Sequence, residues 1–152
     1  MIYYNHKGGR KMKTGWYSET QYFVVKPLKN GHRQSLIMGV DRGEFGRWYV
    51  LMGIFHYNIS YQDMWRSKTW AEPTSTNENP SAKVLSLALE ALNEIEQEIH
   101  NHANGKKAYI YVDGLDTRRL RVYTKVLTKK RGYKKSTTRS DYCGLPLIYK
   151  KI

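Results

Sequence analysis

The chain has 152 residues, 40% of them apolar, enough for one hydrophobic core and too few for two ordinary domains. Its 26 Lys and Arg against 13 Asp and Glu leave a formal charge of +13, which points to an anionic partner: clustered phosphates, nucleic acid or an acidic protein surface. A single cysteine, Cys143, excludes an internal disulfide and an all-cysteine metal cage, no apolar run reaches the ~18 residues that cross a bilayer, and the opening MIYYNHKGGRKMK lacks the apolar stretch of a signal peptide. The expectation is a single domain of the cytoplasm, with no membrane segment and no metal.

The charge is unevenly spread. Met1 to Asn30 carries +5, residues 31 to 104 carry −3, and Gly105 to Ile152 carries +11. Two basic ends therefore flank a mildly acidic middle. Aromatic usage is lopsided too, with 13 Tyr and 4 Trp against 3 Phe, and tyrosine's polar tip suits half-buried strands and wet interfaces.

Residues 1–15 read as a basic arm, because HKGGRKMKTG combines turn-forming glycines with lysines. Alternation and β-branched or aromatic residues predict strands over Gln21 to Leu28, Gln34 to Val40 and Gly46 to Tyr57, with Lys29-Asn30-Gly31 and Asp41-Arg42-Gly43 turning between them. Residues 58–79, with Trp65 and Trp70, show no periodicity and read as a long loop, which in a compact domain is functional or mobile. Leu85, Ala88, Leu89, Leu92, Ile95 and Ile99 then recur at helical spacing over Ser81 to Ala103, started by Asn79-Pro80 and stopped by Asn104-Gly105. A strand over Lys107 to Val112 follows, and then a helix from Thr117 to about Arg131, capped by Asp116, with Leu120, Tyr123, Val126 and Leu127 on its apolar face. Strands over Tyr133 to Thr138 and Leu145 to Lys150 close the chain. The order β-β-β-α-β-α-β-β, a meander followed by a βαβ crossover, predicts a mixed α/β sheet carrying packed helices.

That order, with Asp116, Tyr123 seven residues on, and Gly132-Tyr133 at the end of the segment, resembles the second half of the GNAT family of N-acyltransferases. The resemblance spans about residues 20 to 150, with the N-terminal part of the fold abbreviated. The wording of its second half is similar to uncharacterised GNAT-like proteins of bacteriophage genomes. In the family an Asn stands where Asp116 stands here, and the tyrosine at the position of Tyr123 protonates the leaving thiolate of coenzyme A, a general-acid role. The resemblance thus implies acetyl-CoA as acyl donor, an amine as acceptor, Asp116 and Arg118 near the coenzyme, and the helix start at Ser81 and Ala82 near its pyrophosphate. Family members carry an Arg/Gln-x-x-Gly-x-Gly/Ala loop at that helix start. This chain has Thr76-Asn77-Glu78-Asn79-Pro80-Ser81-Ala82, without glycine, and Pro80 offers no N–H. The nine residues from Tyr123 to Gly132 also imply a longer helix than is usual.

The densest charge cluster is Arg118, Arg121, Lys125, Lys129, Lys130, Arg131, Lys134 and Lys135, together with Arg119. On a helical projection Arg118, Arg121, Lys125 and Lys129 share one stripe, which suits successive nucleic-acid phosphates as well as a solvated helix face. Tyr123 itself fits core packing as well as catalysis. His100-Asn101-His102 lacks a completing metal ligand, HKGGRKMKTG lacks P-loop order, and Asp113 and Asp116 fit turn and cap roles. Two functions are left open by the sequence. One is an acyl-CoA-dependent N-acyltransferase using Tyr123, its general base unassigned among water, Asp41 and Asp113. The other is a catalytically inactive GNAT-like basic module that binds nucleic acid or serves as a virion or assembly component, in the host cytoplasm or the virion if phage-encoded.

Overall fold

A computed structural model describes residues 10–29, 33–66, 81–113 and 117–152. Seven strands form one mixed sheet: β1 (Gly15–Ser18), β2 (Gln21–Pro27), β3 (Gln34–Arg42), β4 (Arg47–His56), β5 (Tyr109–Val112), β6 (Lys134–Arg139) and β7 (Pro146–Lys151). Three helices accompany them among the described residues: α1 (Tyr61–Arg66), α2 (Ser81–Ala103) and α3 (Thr117–Lys130). The spatial strand order is β1-β2-β3-β4-β5-β7-β6, and every neighbouring pair is antiparallel except β4–β5.

Period-two alternation sorts the residues between the two faces. Val24, Leu36, Met38, Val40, Trp48, Val50, Met52, Ile110, Val112 and Ile148 face α2 and α3 and form the main core with Ala91, Leu92, Ile95, Ile99 and Leu127. On the reverse face Phe23, Ile37 and Phe55 join Met12, Tyr17 and the α1 residue Met64 in a second, smaller core. α2 ends where Asn104 and Gly105 turn to φ 48° and 84°, and the Lys106 N–H bonds the Ala103 carbonyl at 3.0 Å, so the Asn-Gly stop acts as the sequence predicts. α3 ends at Lys130, and Gly132, φ 77°, then turns the Tyr133 N–H back onto the Leu127 carbonyl at 3.3 Å.

Two sequence expectations are corrected. Residues 10–15 of the basic arm are docked: Met12 is buried, its N–H bonds the Ile59 carbonyl at 2.9 Å, and Gly15 begins an additional strand, β1. Within the loop expected over 58–79, Tyr61–Arg66 form α1, seated by the fully buried Met64 and by Tyr61 stacked on Tyr17 at 3.5 Å. The order of elements gains one strand and one helix accordingly. The N-terminal nine residues, the turn at Asn30-Gly31, the remainder of the loop with Trp70, the Asn79-Pro80 start and the Asp116 cap lie outside the described residues.

The parallel pair β4–β5 organises the site. At its beginning the two strands are locked: the Tyr109 N–H bonds the Gly46 carbonyl at 2.9 Å, and a Cβ at Gly46, whose φ is 72°, would stand 2.4 Å from the Lys107 carbonyl oxygen. Only glycine fits there, on both counts. Four residue pairs later, at Val50↔Val112, the ladder stops because β5 ends, while β4 continues to His56 against β3 alone.

Candidate active-site cleft

An apolar cleft opens where that ladder stops. Its walls are Met38, Val50 and Met52 from the sheet, Leu85, Ala88, Leu89 and Leu92 from α2, Tyr123 and Leu127 from α3, and Val112 and Asp113 at the end of β5. It is narrow, with a cavity volume of about 20 Å³, and is partly open to solvent. Ligand clefts favour the carboxyl ends of strands in open α/β sheets, where neighbouring connections diverge. The sequence reason is that α2 packs its apolar stripe on β2 and β3 while α3 packs on β6 and β7, so the two helices meet over the buried β4–β5 seam and leave a narrow gap between their facing side chains.

Among the described residues, two polar side chains line this cleft. Tyr123 is partly buried and donates its hydroxyl toward the Met52 sulfur at 3.6 Å, a weak acceptor. Asp113 accepts a 3.0 Å hydrogen bond on Oδ2 from the Ser140 hydroxyl. Ser140 is buried in the connection between β6 and β7, and its Oγ also accepts the N–H groups of Tyr142 and Cys143 at 3.1 and 3.3 Å, so the hairpin fixes the serine and the serine fixes the carboxylate. The first turn of α2 begins at Ser81 and Ala82, one turn before Leu85 of the cleft wall, and a helix N-terminus presents N–H groups favourable to anions.

The second half of α2 is clamped to the sheet and to the residues that follow α3 by polar contacts. Glu96 Oε1 accepts from the buried Tyr133 hydroxyl at 3.1 Å and from Lys150 Nζ at 3.0 Å, while Glu98 takes the Trp16 indole N–H at 2.7 Å. Arg131 bonds Asn93, and Lys26 pairs with Glu94. Three acids of the mildly acidic middle segment, Glu94, Glu96 and Glu98, are thus engaged by residues of the two basic ends. Burial, followed by the neighbouring Glu96 charge, raises the Tyr133 pKa above the ordinary tyrosine range. His102 is sandwiched against Trp16 and Trp48, with ring centroids 4.5 and 5.5 Å away, and serves packing.

The structure places the residues singled out in the sequence as follows. Tyr123 lies in the cleft, whereas Arg118 is exposed on the first turn of α3 and does not line it. Asp113 shares the cleft with Tyr123, but Asp41 lines a separate recess on the reverse face, with Gln21, Phe23, Tyr49, Leu51 and Trp65, where partial burial raises its pKa. Arg121, Lys125, Lys129, Lys134 and Lys135 are exposed, and Arg131 is partly buried against Asn93. Asp116 and the side chains of Ser81, Ala82 and Lys130 lie outside the described residues. Met52 and Ser140 escaped the sequence reading; only the strand alternation of β4 carried a signal for the first, and none existed for the second.

Among the described residues no cluster of three or more His, Cys, Asp or Glu side chains forms a metal site, and no helix is long and apolar enough to cross a membrane. No protein-family model, curated protein or solved structure matches the chain.

Proposed function

We propose that the chain is a GNAT-like protein whose β4–β5 cleft takes the thioester end of an acyl-CoA, for transfer of the acyl group to an amine. One observation carries this reading: a tyrosine hydroxyl and a carboxylate, Tyr123 and Asp113, line one apolar cleft at the end of a parallel strand pair. The element order expected from the resemblance, with β1 and α1 added, supports it. The cleft itself holds only about 20 Å³, room for little more than a water, so an acyl group and its thioester enter by parting its apolar side chains.

The residues present fit such a donor in three respects. The cleft walls are apolar, the β5-facing edge of β4 beyond Val50 has no strand partner among the described residues and offers backbone groups to an amide-bearing arm, and the α2 N-terminus lies one turn away for phosphate. The glycine-free approach to that helix leaves the helix N–H groups as the main phosphate donors. Acyl-CoA supplies an activated carbonyl and a thiolate leaving group. Asp113, oriented by Ser140, removes a proton from the incoming amine as its nitrogen bonds to the carbonyl carbon. Tyr123 gives its proton to the departing sulfur as the C–S bond breaks, and recovers one from solvent. Each proton transfer is worth typically ~10²- to 10⁴-fold in rate.

The test is thiol release from acetyl-CoA in the presence of a panel of primary amines. Wild-type protein should release thiol, and Tyr123→Phe should lower kcat by about 100-fold with the coenzyme still bound. Equal turnover in the variant would remove Tyr123 from the chemistry.

A second reading rests on the exposed stripe Arg118, Arg121, Lys125 and Lys129 along α3. It supports a basic module that contacts nucleic-acid phosphates or an acidic assembly partner such as a virion component, and charge reversal at Lys129, Lys130 and Arg131 should abolish such binding.

A further inference from the structure

The reverse face of the sheet carries a feature that neither reading uses. Tyr49 on β4, Tyr111 on β5 and Tyr149 on β7 are in register across three adjacent strands, and Lys134 of β6 continues the row. Their rings form a continuous series, with centroids 5.5 Å apart from Tyr49 to Tyr111 and 5.4 Å from Tyr111 to Tyr149, the latter pair stacked at 18°. A second row runs beside it, Arg47, Tyr109 and Lys151, also in register. The Arg47 guanidinium lies 5.5 Å from the Tyr111 ring centroid and is hydrogen-bonded to Tyr49, which holds it still more firmly cationic. Tyr111 is buried between its neighbours, while Tyr49, Tyr109 and Tyr149 are partly exposed and Lys134 and Lys151 exposed.

We infer that this aromatic and basic face binds single-stranded nucleic acid. Tyrosine rings at strand spacing, inclined 34° and 18° to their neighbours, give bases a stacking surface that tolerates any sequence, and Arg47, Lys134 and Lys151 beside them meet the phosphates. Its flanking lysines separate it from a protein-docking face, whose composition is rich in tyrosine and arginine but depleted in lysine. The chain's +13 charge favours the same partner. Direction follows from charge: Asp41 is in register with Tyr49 and closes the row on the β3 side, so the strand path leads from Tyr49 toward Tyr149 and Lys134. A base on Tyr149 extends the tyrosine stack and brings its phosphate toward Lys134.

The inference does not rest on the acyltransfer reading, since the cleft lies on the other face. The experiment is fluorescence anisotropy with labelled oligo(dT) and oligo(U) of about 12 nucleotides, and with a duplex of the same length, at several salt concentrations. Single strands should bind better than duplex, with Tyr49→Leu and Tyr149→Leu each weakening binding about tenfold. The doubly reversed Lys134→Glu, Lys151→Glu variant changes only exposed side chains; it should keep its circular dichroism spectrum and show weaker binding with a shallower salt slope. Comparison of oligo(dT) with oligo(U) tells DNA from RNA as the source. Equal or better binding of duplex, abolished by Arg121→Glu, Lys125→Glu, Lys129→Glu and unchanged in the tyrosine and Lys134/Lys151 variants, would overturn the inference. So would a dimer in sedimentation that the Lys134/Lys151 variant dissociates, which would make the face an interface between copies.

Discussion

The two ends of the β4–β5 pair are built by opposite means. At the closed end backbone meets backbone at Gly46 and Lys107, and above it Glu96 and Glu98 of α2 hold Tyr133, Lys150 and Trp16 by hydrogen bonds. At the open end the same helix presents only Leu85, Ala88, Leu89 and Leu92, facing Tyr123 and Met52 across the cleft. One helix thus carries a polar clamp in its second half and an apolar wall in its first. The difference teaches that the cleft is a consequence of tightness elsewhere: directional contacts at one end fix the spacing that dispersion alone would close at the other.

The largest effect should come from breaking the closed end. Gly46→Val combines a side chain at φ 72° with a clash against the Lys107 carbonyl, and should cost about 3 kcal/mol or more in urea unfolding, with loss of any coenzyme binding. Next is the clamp. Glu96→Ala leaves the buried Tyr133 hydroxyl and the Lys150 ammonium without their shared acceptor, an expected loss of about 2 kcal/mol after allowing for the partial exposure of Lys150. Its pH signature has a definite sign. Because the folded-state pKa of Tyr133 is raised, its contribution is complete below the ordinary tyrosine pKa of about 10 and is lost as pH climbs above it. Removing Glu96 removes part of the cause, so the alkaline fall in stability, followed by absorbance at 295 nm with circular dichroism, should be shallower in the variant. The smallest stability effect belongs to the open end: Ser140→Ala should cost about 1 kcal/mol, yet lower kcat several-fold with KM unchanged by freeing Asp113. Restored turnover in Ser140→Thr would separate positioning from mere packing.

Much of this architecture is written in local patterns. α2 was legible from Leu85 to Ile99 because its stripe is long and its Asn104-Gly105 stop has a specific backbone chemistry. The stripe of Arg118, Arg121, Lys125 and Lys129 followed from helical spacing alone. β1 and α1 were not legible, because GWYS and YQDMWR are too short for any period and are held by distant partners, Trp16 by Glu98 and Tyr17 by Tyr61. Trp16 and Tyr17, consecutive and both buried, point to opposite cores, so burial there shows no alternation to read. Tyr123 was a candidate from its position on the helix, but its meeting with Asp113 and Met52 depends on β4 and β5 pairing in parallel and then parting, a long-range fact no window of sequence contains. The tyrosine row likewise exists only through the registers of β4, β5 and β7.

The most direct test of the acyl-carrier cleft is calorimetric titration of acetyl-CoA and CoA, freed of copurified nucleic acid, into wild-type protein and into Leu89→Trp, which fills the cleft from its α2 wall. The account predicts saturable binding to wild type at micromolar concentrations, abolished in a Leu89→Trp protein whose thermal unfolding remains cooperative. No heat with the wild-type protein, or unchanged binding in Leu89→Trp, would contradict it.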